Sequence, residues 1–318
     1  MAARSEIRTE VEGRLLTLTN LEKVLYPEYG FTKGEVIDYY LRVAPTLLPH
    51  VADRALTRVR FPDGVGPGAF SFFEKNLPAG CPDWITRRTV VGSEGDIVYL
   101  VADSTASLVY LANLAALELH VPQWRFSDTP GPTHLRESDR APRSTTLVID
   151  LDPGEGLAPD RLAHAAQLVG GLLATDGLLP LVKSSGSKGL QVYAAIAPTS
   201  GHAVVAYAKA LGDFLARREP DLFVATVTVA ERAGKVFLDY NQNLTGRNTV
   251  APYSLRGRAF PGVSTPMTWD EVAAITDAAD FRFGPEDVLS RIADHGDLFA
   301  DLLDPGEAPE LPAPREAS

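Results

Sequence analysis

Apolar and polar residues alternate through Ser144-Thr-Thr-Leu-Val-Ile-Asp-Leu-Asp-Pro-Gly154, which predicts a strand running into a turn. Successive strand side chains point to opposite faces. Leu147, Ile149 and Leu151 therefore share one face, and Val148, Asp150 and Asp152 the other. Elsewhere the period is helical. Thr32 and Glu35 have capping-box spacing, and a helix follows through Tyr39 and Val43 to about Leu48. Helices are predicted over 159–175 and 202–217, and another opens at the capping box of Thr268 and Glu271. Residues 54–75 read as strands around a Pro- and Gly-rich loop, and strands are expected over 222–229 and 235–240. A hairpin is predicted over 179–196, turning at Ser184–Gly189, with Gln191 and Tyr193 on the face opposite Leu190, Val192 and Ala194. The apolar run from Leu108 to Leu119, interrupted by Asn113 and Glu118, reads as a buried helix. Residues 126–143 form a connecting loop. Helices and strands mix without a regular βαβ rhythm, so an α+β fold is expected. Residues 1–14 read as a loose segment, 15–303 as the folded domain, and 304–318 as a disordered acidic, Pro-rich tail.

The chain of 318 residues, 45% hydrophobic, can bury a large core. Its net charge of −11 argues against a general affinity for phosphate, but net charge does not locate charge, and an acidic protein can carry a local basic groove. The single cysteine, Cys81, excludes an internal disulfide and a multi-cysteine zinc site, and the six histidines lack zinc-ligand spacing. The N-terminus has no signal-peptide pattern, and no run approaches the roughly 20 apolar residues that span a bilayer. A cytoplasmic protein without a membrane partner is expected.

Candidate chemistry starts with Asp150 and Asp152. Two carboxylates on one face repel, and a hard divalent cation relieves that repulsion. The alternative is a strand that runs into an Asp-Pro-Gly turn begun by Asp152. The turn Ser184-Ser-Gly-Ser-Lys-Gly189 offers backbone amides and Lys188 to a phosphate, although it is neither a Walker A loop nor a nucleophile elbow. Asp239 lies in the apolar strand Lys235-Val-Phe-Leu-Asp-Tyr-Asn-Gln-Asn243, sharing a face with Phe237. An aspartate there is costly unless paired or bound to metal. Arg256 and Arg258 in Ala251-Pro-Tyr-Ser-Leu-Arg-Gly-Arg258 carry guanidinium forks suited to phosphate. Three carboxylates, a lysine and arginines together suit two-metal nucleotidyl transfer.

These segments resemble the polymerase domain of bacterial ligase D, in the archaeo-eukaryotic primase superfamily. The resemblance runs from about Leu16 to beyond Trp269. It rests also on 18–27 (Leu-Thr-Asn-Leu-Glu-Lys-Val-Leu-Tyr-Pro), 32–40 (Thr-Lys-Gly-Glu-Val-Ile-Asp-Tyr-Tyr), 72–78 (Phe-Phe-Glu-Lys-Asn-Leu-Pro) and 117–124 (Leu-Glu-Leu-His-Val-Pro-Gln-Trp). It implies a primase-polymerase fold with a helix-flanked sheet carrying the Asp-x-Asp strand. It also implies a template-dependent repair polymerase that fills gaps or joins ends, prefers ribonucleotides, and uses two manganese or magnesium ions.

By the same resemblance, Asp150, Asp152 and Asp239 are the catalytic metal ligands. His120, Ser185, Lys188, Gln191, Gln242 and Arg256 line the nucleotide. Asn20, Lys23 and Lys33 grip a 5′-phosphate across a gap. Phe72 and Phe73 stack on the template beside Lys75, one of the pair facing inward, and Arg58 and Arg60, on a shared strand face, extend the phosphate track. The implied partners are gapped or broken DNA, nucleoside triphosphates, Ku and a separate ligase, in a nucleoid-associated setting. No ligase or nuclease region is seen, so a stand-alone polymerase is expected. Two positions depart from the family pattern: Gln191 stands where Ser-Gly-Ser-Lys-Gly-Leu-His has its histidine, and Val229 stands where a basic residue is expected. Three other readings compete with this one: a primase starting chains de novo, a non-catalytic DNA-end binding module, and an Asp-x-Asp glycosyltransferase.

Overall fold

The structure is a computed structural model that describes residues 5–92, 95–128, 133–135, 141–225, 228 and 232–315. Val229 lies outside the described residues. Where the sequence reads as one domain over 15–303, the chain divides into two compact units that interleave in sequence. One comprises 1–121, 250–264 and 283–296, and the other 122–249, 265–282 and 297–318.

In the first unit the helix Lys33–Val51 starts at the expected capping box: Glu35 N donates to Thr32 Oγ1 and Thr32 N donates to Glu35. Its buried stripe of Val36, Ile37, Tyr40, Val43 and Leu47 recurs at helical spacing and meets the core. The Tyr39 and Tyr40 hydroxyls donate to the carbonyls of Tyr253 and Leu117, so the aromatic pair fixes the helix as well as filling the core. Strand Thr57–Arg60 is flanked antiparallel by Phe72–Glu74 and Ala116–Val121.

Two expectations for this unit are corrected. The apolar run 108–119 is not one helix. Helix Thr105–Asn113 ends, Ala115 takes a positive φ of 57°, and a strand begins at Ala116. An even hydrophobic run cannot distinguish a buried helix from a buried strand. From Glu6 onward the segment expected to be loose is also ordered: Glu6–Val11 pairs in register with Arg14–Thr19. Glu12 and Gly13, with φ of 50° and 73°, make the two-residue turn whose twist suits a hairpin.

The second unit is built on a six-stranded sheet in the order Phe223–Val224, Val236–Asp239, Arg143–Pro153, Leu190–Ser200, Leu181–Ser184, Pro266–Met267. Only the first pair is parallel. Helices Pro159–Thr175 and Gly201–Arg218 lie against it and bury Leu162, Val169, Val204 and Leu211. Leu147, Ile149 and Leu151 are buried on the face the alternation predicts. On the other face Val148 and Tyr193 join Phe299 and Leu302 in a small cluster. The segment expected to be disordered from Asp304 is held to this unit as far as Arg315. Ala197 N donates to the Pro309 carbonyl, and Arg315 pairs with Asp176 at 2.7 Å. Its low hydrophobicity hid these polar anchors.

Candidate functional site

Sheet register assembles the first part of the site. Asp150 stands directly opposite Asp239 on one side and Gln191 on the other, and Gln191 stands opposite Lys183. Directly opposed residues in antiparallel strands hold their Cβ atoms roughly 4.5–5.5 Å apart. Four strands therefore contribute one row, Asp239–Asp150–Gln191–Lys183, with Asp152 two residues along on the same face. The Lys183 ammonium donates to Gln191 Oε1 at 2.6 Å, and Gln191 Nε2 donates to Asp150 Oδ1 at 3.0 Å. The Tyr193 hydroxyl lies 3.4 Å from Gln191 Oε1 and donates to Thr249 Oγ1 at 2.9 Å.

The carboxylates carry the electrostatic signature of a cation site. Burial, then the charges of Asp152 and Asp239, push the Asp150 carboxyl up to about 7, against the Gln191 hydrogen bond and Lys183. Asp152 is raised by burial and by Asp239, and lowered by Arg232. Crowded acidic oxygens that resist ionisation together are a hard donor set, which fits magnesium or manganese. Among the described residues no three His, Cys, Asp or Glu side chains are closed into a metal cage. Asp239 is turned toward its own chain, accepting from Asn241 N at 3.1 Å and Gln242 Nε2 at 2.9 Å. Asp150 and Asp152 are the nearer match to a ligand pair.

Local devices hold this face in place. After Asp239 the chain turns into a short 3-10 helix, Tyr240–Asn243, and leaves the ladder. Asn243 substitutes for the missing strand, accepting from Val148 N at 2.9 Å and donating to Val148 O at 2.7 Å. In the hairpin turn, Ser185 Oγ accepts from the amides of Ser187 and Gly189. Gly186 supplies a positive φ of 67°. A Cβ on Gly189 would come 2.8 Å from the Leu151 carbonyl, so the turn can lie against the Asp-x-Asp strand only with glycine there. Lys188 is exposed at the tip.

His120 and Arg256 lie in the first unit, around a residue that the motifs did not single out. Glu118 Oε2 is 2.8 Å from His120 Nε2, and Glu118 Oε1 lies 3.1 Å from Arg256 Nε in an ion pair and accepts from Gly257 N at 2.9 Å. Burial pushes the Glu118 carboxyl up, but His120, Arg256 and the Gly257 amide outweigh it and hold it down at about 2. Glu118 and His120 are two apart on a strand, so alternation already placed them on one face. Lys183, Asn243 and Arg232 also escaped the motif pattern. Lys183 and Asn243 are legible only once strand register is known, and Arg232 stacks 3.8 Å from the Phe237 ring centroid.

The expected 5′-phosphate residues converge in the same unit. Asn20, Lys23, Lys33 and Arg60 line one pocket of about 550 Å³ with Asp63 and Asn113. Lys23 pairs with Asp63 at 2.9 Å. Lys33 is only 5% exposed and donates to the Thr19 carbonyl at 2.5 Å. A neighbouring pocket of about 610 Å³ is lined by Arg58, Arg60, Phe73 and Lys75.

Two expectations change here. Arg58 and Arg60 do share a face, but Arg58 is 1% exposed and is committed to Glu74 at 2.7 Å and the Asn76 carbonyl at 2.7 Å. It braces the strand pair instead of facing a phosphate. Phe72 and Phe73 are 46% and 58% exposed, so neither faces inward. Their three-residue strand is the edge of its sheet. The Phe73 ring meets His120 edge-on at 6.2 Å.

A carboxylate-bearing antiparallel sheet flanked by helices, with a glycine-serine-lysine turn beside the acidic pair, defines a nucleotidyltransferase. The chain belongs to the LigD primase-polymerase domain family, whose model (LigD, primase-polymerase domain) matches residues 32–299. It is 44% identical over 288 residues to the multifunctional non-homologous end joining DNA repair protein LigD of Mycobacterium tuberculosis, covering 90% of this chain and 37% of that protein. It is 29% identical over 289 residues to the bifunctional non-homologous end joining protein LigD of Bacillus subtilis, covering 90% of this chain and 44% of that protein. The chain thus spans less than half the length of these relatives. Among solved structures it is similar to the polymerase domain of Mycobacterium tuberculosis ligase D in complex with DNA, with a TM-score of 0.83 and 44% identity, covering 92% of this chain and 99% of that one. The α+β expectation is borne out, and the chain is a DNA-directed nucleotidyltransferase domain.

Proposed function

We propose that this domain extends DNA at gaps and broken ends that carry a 5′-phosphate, in end-joining repair, using nucleoside triphosphates and preferring ribonucleotides. The observation that carries the reading is the Asp239–Asp150–Gln191 row with Asp152 beside it. Asp150 and Asp152, with Asp239, would hold magnesium or manganese, two ions in the two-metal scheme. When bound, the metal supplies activation of the attacking hydroxyl and charge neutralisation at the leaving pyrophosphate. Lys188 and the Ser185-ordered turn would hold the triphosphate by point charge and backbone amides. His120 and Arg256, oriented by Glu118, are proposed as nucleotide contacts of the first unit, and Gln242 as one of the second. Asn20, Lys23 and Arg60 would take the 5′-phosphate, with Lys33 shaping that pocket from within. Phe72 and Phe73 would give the template a sequence-tolerant stacking surface, and Lys75 a charge beside it. These local cationic pockets reconcile DNA binding with the acidic chain. The proposed setting is cytoplasmic, on the nucleoid, with Ku and a ligase acting on the same ends. No helix among the described residues is long and apolar enough to cross a membrane.

The test is primer extension on gapped DNA with and without a 5′-phosphate, comparing ribo- with deoxynucleotides and manganese with magnesium. Extension stimulated by the 5′-phosphate is expected. Product on single-stranded template without primer would favour de novo priming, and no incorporation in any arm would sink the polymerase reading.

A further inference from the structure

Lys183 is fully buried, and none of the roles above uses it. A lysine in a protein interior is costly unless its charge is compensated. This one donates to Gln191 Oε1 and lies 5.5 Å from the Tyr193 ring centroid. An ammonium has donors and no acceptor. It therefore selects one of the two ways the Gln191 amide can point. The oxygen must face Lys183, so the nitrogen must face Asp150, and that is the donor found on Asp150 Oδ1.

We propose that Lys183 is a positioning residue of the metal site: by fixing the Gln191 amide it directs one hydrogen bond onto Asp150 Oδ1 and leaves the other carboxylate oxygen to face a divalent cation. This rests on the metal-site reading of Asp150 and Asp152. The physical basis is general, since groups that hydrogen-bond to metal ligands set the ligands' orientation. Without Lys183 the amide oxygen loses its cationic partner, and the hydrogen bond that orients the Asp150 carboxylate is no longer anchored from behind. Lys183 and Gln191 also form a pair across neighbouring strands, so the two positions act together.

An opposite role can be told apart from this one. A buried cation near two carboxylates could instead act as a built-in competitor of the metal. Its removal would then tighten metal binding.

The measurement is Mn2+ binding to the nucleotide-free domain by isothermal titration calorimetry. Lys183→Met, which keeps the stem's shape and removes the donor, is expected to weaken Mn2+ about 10–100-fold, the range for partners of metal ligands. Gln191→Leu is expected to weaken it by a similar factor, and Lys183→Met/Gln191→Leu no further than Gln191→Leu alone. The double variant is apolar at both positions, so it keeps the comparison available if either single variant folds poorly. Unchanged or tighter binding in Lys183→Met overturns the proposal, as do losses that multiply in the double variant. Asp150→Asn and Asp152→Asn serve as references. If they bind Mn2+ like the wild type, the metal-site reading fails and this role falls with it. If they lose Mn2+ while Lys183→Met keeps it, only the positioning role fails.

Discussion

Glu118 holds His120 with one carboxylate oxygen and Arg256 with the other, so a single buried acid sets the direction of two groups proposed to contact the nucleotide. Glu118→Gln keeps the shape and removes the charge. Hydrogen bonds to charged groups contribute about 1.5–3 kcal/mol, so the KM for nucleotide is expected to rise roughly tenfold, with a smaller change in kcat. Because the fold lowers this carboxyl from 4.5 to about 2, its stabilisation is complete above pH 4.5 and is lost as pH falls toward 2. The variant should therefore be less stable than the wild type at pH 7, with the gap closing in acid. Thermal melts across that range check the sign, and a gap that widens in acid would contradict it.

Asp150 gives the opposite linkage. Its carboxyl is raised from 3.8 to about 7, so the metal-free fold keeps a proton that the unfolded chain has released. Stability conferred by the protonated form is present below the lower value and is lost as pH rises toward the upper one. Metal-free Asp150→Asn should be more stable than wild type at pH 8 by on the order of 1–3 kcal/mol, since a tenfold change in proton affinity is equivalent to about 1.4 kcal/mol. At pH 4 the two should melt together. Adding Mn2+ at pH 8 should raise the wild-type melting temperature and leave the variant's unchanged. An equal difference at both pH values would refute this linkage.

The two lysines of the pocket proposed for the 5′-phosphate should part company. Lys23 is partly exposed and pairs with Asp63, whereas Lys33 is buried against Thr19. Lys23→Ala is expected to weaken binding to gapped DNA with a 5′-phosphate while leaving 5′-hydroxyl DNA nearly unaffected. Lys33→Met should lower stability, by about 1–3 kcal/mol from its lost buried hydrogen bonds. Fluorescence anisotropy on the paired substrates and a denaturant titration separate the outcomes. If both variants simply lose DNA binding equally on both substrates, the pocket does not read the end phosphate.

Phe72 and Phe73 are a test of surface against core. Substitution of each by alanine should change stability by less than about 0.5 kcal/mol, as for other exposed positions. Template binding should weaken by about 1–3 kcal/mol per lost stack. Large destabilisation with unaltered template affinity would return the pair to a packing role.

Much of this was legible in the sequence, for identifiable reasons. Strand alternation alone placed Asp150 and Asp152 together, and the capping boxes at Thr32 and Thr268 marked real helix starts. Helix 159–175 has the bounds its periodicity gave. What alternation cannot supply is register, and Lys183 came into view only when its strand was set opposite Gln191. The burial of Arg58 was hidden because a salt bridge to Glu74 offsets a cost that sequence alone assigns to water. Ala115 gave no warning of its positive φ, so helix and strand merged into one apolar run.

The turn between Ser184 and Leu190 has a consequence for how this domain can change over time. Its length fixes which residue stands opposite Lys183. One residue more or fewer would shift that pairing by one pleat and set Leu190 or Val192 opposite Lys183, because side chains alternate with a period of two. Any tolerated change in turn length must therefore come in even steps or be matched by a bulge. Point substitution at 191 alters the chemistry, whereas insertion at 185–189 would exchange the whole face. The hairpin tip is thus a dial with few permitted settings.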